Sequence, residues 1–193
     1  MSALAQMKEL VDALSPLPAE DWELFSKIWK PFAAKRKTLL SNAATTERYL
    51  YFVVAGVQRI YHLGANEKES TILFTYSPSF GGILDSLMLQ KPSAYAYETL
   101  TASTFLRATY ADLKLLIDSR PAINSFVRNG LAGALSGTLA RLVELQSLSS
   151  EEKFRALLQR SPHLLQLVPH KYLANYIGID ASNFSKFINT IVI

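Results

Sequence analysis

At 193 residues, 49% of them hydrophobic, the chain can bury a sizeable core as one large domain or two small ones, and its formal charge of +4 is compatible with a nucleic-acid partner without requiring one. The absence of cysteine excludes disulfides, thiolate metal sites, iron–sulfur ligation and a cysteine nucleophile. The three histidines, His62, His163 and His170, lie far apart with no helical partner four residues away, so no metal site is expected.

In residues 2–14, Leu4, Met7, Leu10, Val11 and Leu14 recur on a helical period, which predicts an amphipathic helix. Lys8, Glu9 and Asp12 interrupt that segment, unlike the unbroken apolar region of a secretory signal. Apolar stretches such as residues 49–57 fall well short of the roughly 18 to 20 residues of a membrane span, so a cytoplasmic protein without a membrane partner is expected. A second helix follows Pro18, with Glu20 and Asp21 in the first turn, where the helix dipole favours acids, and Trp22, Phe25 and Trp29 on its apolar face. Residues 32–110 then run in short segments rich in Val, Ile, Tyr, Phe and Thr, broken at Ser41-Asn42, Gly56, Gly64, Pro78, Gly81-Gly82 and Pro92. Short strands at this spacing predict an antiparallel barrel or roll.

Helical signals return at Ala111, and residues 121–149 give the longest helix, with Pro121 in its first turn. Leu131, Leu135, Thr138, Leu142 and Leu145 alternate spacings of four and three; such a heptad seam on one helix implies a partner helix, most simply that of a second copy. Gly130, Gly133 and Gly137 each cost about 1 kcal/mol relative to alanine there. Close packing against a partner would explain them; the other reading is a kinked helix covering the roll. A further helix opens at Ser150-Glu-Glu, carries Phe154, Leu157 and Leu158, and stops at Ser161-Pro162, after which a short connector leads to Pro169. In residues 170–188, Leu173, Ala174 and Ile177 form the inner face of one helix and Gly178 turns the chain. Ile179 plugs the corner, and Asp180 caps a second helix with Phe184, Phe187 and Ile188 inward. A small residue, a glycine and an N-cap in that order specify a helix-turn-helix more sharply than an ordinary helical hairpin with a glycine cap.

With helices, roll, long heptad helix and terminal helix-turn-helix in this order, the chain resembles the Crp/Fnr family of bacterial transcription regulators over nearly its whole length. Residues 48–56, RYLYFVVAG, resemble the strand and turn entering that family's roll, and residues 80–94 resemble its phosphate-binding cassette. The resemblance implies an α+β fold: N-terminal helices, an antiparallel jelly-roll-like β-roll (a double-stranded β-helix), a dimerisation helix, and a C-terminal helix-turn-helix without an evident wing. A sensor domain is expected over 1–120, the dimerisation helix over 121–149 and a DNA-binding domain over 150–193.

Family members that bind cyclic nucleotides use a Glu for the ribose hydroxyl and an Arg for the phosphate. Here Gly82 stands at the Glu position, and Pro92, Ser93 and Ala94 stand where Arg and a small polar residue would follow. Losing such a phosphate contact costs on the order of 2 to 5 kcal/mol, so cyclic AMP is not expected as effector. The implied pocket comprises Phe80, Gly81, Gly82, Ser93 and Ala94, with Tyr95, Tyr97 and Thr138 around them. It is expected to take an unidentified, less charged small molecule, unless the tyrosines simply pack the roll. No cofactor is expected.

For DNA, the resemblance places His170 and Lys171 at backbone phosphates and leads to Arg and Glu near the start of the second helix with a further Arg a turn later. Ala181, Ser182 and Lys186 stand there instead, with Asn183 and Ser185 beside them. Residues 151–193 hold five basic against three acidic residues, a thin set that predicts modest, salt-sensitive binding. Residues 189–193 are apolar where a basic end would be expected, and no wing follows: either the wing is dispensable or the DNA-binding end is truncated. Double-stranded promoter DNA, a second copy of the chain and RNA polymerase are the implied partners. The alternative is a dimeric ligand-sensing or protein-interaction module that has lost DNA binding. An enzyme on a cupin-like barrel would need metal-ligating His and Glu inside the roll, which His62 alone cannot provide, so no enzymatic activity is expected.

Overall fold

The computed structural model describes residues 2–191. Helix α1 (Ala3–Leu14) is opened by Ser2, whose hydroxyl accepts the Ala5 N–H, and α2 (Ala19–Lys27) carries the expected Glu20 and Asp21 in its first turn. Eight strands follow: β1 (Lys30–Ala34), β2 (Leu39–Ser41), β3 (Tyr49–Ala55), β4 (Val57–Leu63), β5 (Glu69–Tyr76), β6 (Ser79–Gly81), β7 (Tyr95–Thr99) and β8 (Ser103–Thr109). The short α3 (Leu84–Leu89) lies between β6 and β7. All pairings are antiparallel, in two four-stranded sheets ordered β1-β8-β3-β6 and β2-β7-β4-β5.

Side chains alternate across a strand. In β3, Tyr51 and Val53 enter the space between the sheets, where they meet Ile60, Ile83, Tyr97 and Phe105. Leu50 and Phe52 face the other way, into a core with Met7, Val11, Phe25 and Trp29. That core is completed by α4 (Tyr110–Ser119) and by α5 (Pro121–Ser147), whose Ile123 and Phe126 are buried.

The C-terminal helices are α6 (Ser150–Arg160), α7 (Leu164–Leu167), α8 (His170–Tyr176) and α9 (Ala181–Thr190). Ser149 and Glu152 form a capping box that opens α6, which ends the long helix two residues before the expected boundary. The short connector contains α7, a four-residue turn too short to leave a periodic pattern, yet it buries Leu164. Phe154, Leu157, Leu173 and Phe184 form one core with Val57, Phe74 and Leu100, so the terminal helices sit on the outer face of the second sheet. Of the apolar segment 189–193, Val192 and Ile193 lie outside the described residues.

Candidate functional site

The cassette segment runs from β6 through α3 into the loop before β7. Gly82 has φ +114°, a left-handed region that disfavours any side chain, and a Cβ on Gly81 would stand 2.6 Å from the Tyr97 hydroxyl. Gly82 is therefore demanded by its backbone conformation and Gly81 by packing inside the protein. The centre of the segment holds an acidic side chain that the sequence pattern did not single out. Glu47, 2% exposed, accepts the N–H of Arg48 at 2.9 Å and of Tyr49 at 3.2 Å through one oxygen, while the other faces the Ile83 N–H at 3.5 Å. Its own N–H donates to Ser86 Oγ, which donates to the Lys91 carbonyl. Burial pushes the Glu47 carboxyl above its ordinary range, against the pull of these donors.

Around Glu47 the interior is aromatic. Tyr97 is fully buried, its hydroxyl 2.8 Å from Thr75 Oγ1 and 3.5 Å from Gln58 Oε1, and Tyr51 packs edge-on against both Tyr97 and Phe105. Burial raises the pKa of both tyrosines far above the ordinary phenol range. Arg107 stacks between Phe32 and Tyr49, a cation in the roll that no motif announced. Ser93 is buried and spent locally: its hydroxyl accepts the Tyr95 N–H at 2.8 Å, while its backbone is strapped to Ala44 and Thr45. Ala94 is exposed and its carbonyl meets His62 Nδ1; Tyr95 is half-buried against the His62 ring. Phe80 lies on the other side of the sheet, packed on Trp29, Phe52 and Phe126. Thr138 is exposed and donates its hydroxyl to the Ala134 carbonyl. Of the expected pocket residues, then, Gly81, Gly82 and Tyr97 come together, whereas Phe80 and Thr138 do not join them. Beside Phe80 an apolar cleft of about 450 Å³ opens between α1, α3 and α5, walled by Leu10, Leu14, Met88 and Leu131 among others.

The helix-turn-helix forms as its residues demand. Gly178 turns at φ +66°, Ala174 and Leu173 are buried, and Asp180 caps α9 by accepting the Asn183 N–H at 2.8 Å. The Asp180 carboxylate also takes the Ser182 hydroxyl at 2.5 Å and the Asn183 amide at 2.8 Å, bonds that hold it below the usual carboxylate range. Two expected base readers are thus turned back onto their own cap. Ala181, Ser185 and Lys186 are exposed on α9, as is Lys171 on α8, while the His170 ring packs on Phe184.

Helix α5 reaches this unit from the roll. Residues 128–140 are exposed apart from a half-buried Leu131, and Leu135 and Leu139 are each more than half exposed. Among the described residues a Cβ on Gly130, Gly133 or Gly137 would meet no atom within 4 Å, so the close packing expected of these glycines does not occur there. An exposed helix this apolar is incomplete alone. Farther along the seam Leu142 is exposed, whereas Leu145 packs toward Gly178. Arg141 stacks on Tyr176 and donates to its carbonyl, and Glu144 pairs with Arg160.

No family model matches the chain, and neither does any curated protein sequence. Solved structures do. FixK2 from Bradyrhizobium japonicum aligns with a TM-score of 0.76 over 85% of this chain and 84% of its own, at 14% identity. The c-di-GMP responsive global regulator CLP of Xanthomonas campestris gives 0.67 over 90% and 91%, at 17% identity. A putative transcriptional regulator of the Crp/Fnr family from Eubacterium rectale gives 0.69 over 90% and 82%, at 14% identity. The chain has the fold of these regulators.

Proposed function

We propose that the chain is a Crp/Fnr-type transcription regulator: a non-enzymatic cytoplasmic homodimer that binds double-stranded promoter DNA through α8 and α9 and acts on RNA polymerase. The observation that carries this reading is a correctly capped helix-turn-helix that follows a long helix whose apolar surface has no partner among the described residues. Pairing two copies of α5 would cover Leu135, Leu139 and Leu142 and bring two recognition helices to one operator. Fold likeness alone does not assign function, so the site residues carry the argument.

On this reading cyclic AMP is not the effector. Gly82 and Pro92 replace the two charged anchors, and Glu47 brings a carboxylate to the N–H of Ile83, in the segment where the family takes an anion. An effector, where one acts, is a less charged molecule. The test is fluorescence anisotropy of the full chain against random-sequence and promoter DNA over a salt series, with and without cyclic AMP. Binding to a subset of promoters, weakened by salt and indifferent to cyclic AMP, is expected. No binding at low salt would overturn the reading in favour of a sensor that works through protein contacts, which the self-bonded Ser182 and Asn183 would suit.

A further inference from the structure

The terminal helix pair is bound to the roll by polar contacts as well as by its apolar core. Arg59 of β4, 1% exposed, lies between two rings, with its Cζ 4.1 Å from the centroid of Tyr61 and 3.9 Å from that of Tyr172 on α8. Its Nε and Nη2 reach one oxygen of Glu98 at 3.0 and 2.9 Å, and its Nη1 reaches Glu69 at 2.6 Å. The other oxygen of Glu98 takes Lys37 at 3.0 Å, and Lys37 donates to the Tyr172 hydroxyl at 3.0 Å. The contacts close a loop from roll to α8 and back, with two cations balanced by two carboxylates.

A second device stands beside it. Strand β5 is the edge of its sheet, and an edge leaves backbone donors and acceptors without partners. Asn175 of α8 answers both kinds with one side chain: its Oδ1 accepts the Thr71 N–H at 2.6 Å and its Nδ2 donates to the Glu69 carbonyl at 3.0 Å. A buried ion pair is a poor source of net stability, because desolvation offsets attraction, but it is demanding of geometry. The same holds for a paired amide. Contacts of this kind select one orientation of the helix pair out of those that the extended backbone at Leu148, between α5 and α6, would otherwise permit.

We propose that the Arg59–Tyr172 stack and the Asn175 clasp form an intramolecular dock that holds the α8–α9 pair in its DNA-reading pose, so that the roll acts on the reading helix through the second sheet as well as through α5. The inference rests on the DNA-binding reading above. The dock leaves Ser182, Ser185 and Lys186 of α9 exposed, so it orders the reading helix instead of hiding it.

Because the chain has no cysteine, Leu63→Cys on the roll and Asn189→Cys on α9 give two clean positions for spin labels. Double electron–electron resonance, with labelled chains diluted in unlabelled ones, reads the distance between roll and helix pair without DNA. A single narrow distance is expected in the otherwise native chain, and a broad one with Arg59→Met or Asn175→Ala. Affinity for promoter DNA should fall about tenfold in each, as it must when only about a tenth of the molecules hold the competent pose. Should Arg59→Met fail to fold, Asn175→Ala leaves the roll untouched and carries the test. A distance equally narrow in Asn175→Ala overturns the dock; broadening with unchanged or tighter DNA binding overturns its role in reading. If the native chain binds no DNA, the regulator reading fails, while the distance measurement still decides the dock.

Discussion

The space between the two sheets and the outer surface of α5 are both apolar, and the chain treats them in opposite ways. Between the sheets Tyr51, Tyr97 and Phe105 interlock, the phenol of Tyr97 is bonded to Thr75, and the carboxylate of Glu47 is met by backbone N–H groups. Along α5, Leu135, Leu139 and Val143 stand in the open beside three glycines on which a Cβ would meet no atom of the described residues. The first region is filled by its own side chains; the second leaves its apolar side chains in solvent.

The largest effect should come from breaking the filled region. Phe105→Ala removes a side chain 2% exposed at the meeting point of Phe32 and Tyr51, and should destabilise the protein by about 3 to 5 kcal/mol in urea unfolding. A cost below about 1 kcal/mol would mean an interior loose enough to host a ligand, and the contrast with α5 would collapse. Next comes the exposed region. Leu135→Asp with Leu142→Asp should yield monomers by light scattering, the dissociation constant rising at least about 100-fold, or about 2.7 kcal/mol. A dimer that survives would move the interface off α5.

A smaller effect separates Glu47 from the aromatic packing around it. Burial holds its carboxyl above the ordinary range, so the folded protein keeps this proton more tightly than the unfolded chain does. The stability it contributes is fully present below the ordinary carboxylate pKa and is lost as pH rises through the raised value. Glu47→Gln cannot titrate. In paired unfolding curves the native protein should therefore lose ground to Glu47→Gln as pH increases through that window, the other carboxylates cancelling in the difference. A difference that does not change with pH would show that the N–H donors outweigh desolvation.

Much of this was legible in the sequence where the signal is local. Gly178, Asp180 and Ala174 announce the helix-turn-helix because positive φ, capping and close crossing are demands on single positions. The exposed seam of α5 was readable from its spacing alone. What the sequence concealed is long-range. Glu47 is an unremarked acid in a loop until β6 and α3 bring the Ile83 N–H to it, and Arg59 finds Glu98 and Tyr172 only through the pairing of β4 with β7 and the docking of α8. The cassette resemblance put Phe80 in the pocket, but its pairing with Phe52 turns it toward the helices, a matter of sheet register that the sequence does not carry. Ser182 and Asn183 stand where the resemblance puts base contacts, and nothing in their spacing says that Asp180 will claim them.

The finest distinction lies within the helix pair, between charges that face solvent and polar groups already satisfied. Lys171 and Lys186 are exposed, whereas the Ser182 hydroxyl and the Asn183 amide rest on Asp180. Phosphate contacts are insensitive to sequence, and each contributes about 0.9 to the slope of log affinity against log salt. Lys171→Ala with Lys186→Ala should therefore flatten that slope by about 2 and weaken binding alike to every promoter, as read by anisotropy across a salt series. Ser182→Ala should leave the slope alone and change which promoters are preferred, since a base contact carries sequence information and a phosphate contact does not. If Ser182→Ala alters neither, its hydroxyl stays on the cap in the complex and the reading falls to Ser185 and Asn183. If the double lysine variant keeps the native slope, the basic residues that meet the phosphates lie outside α8 and α9, and the cations of the roll, among them Arg36 on the cleft that His170 also lines, become the place to look.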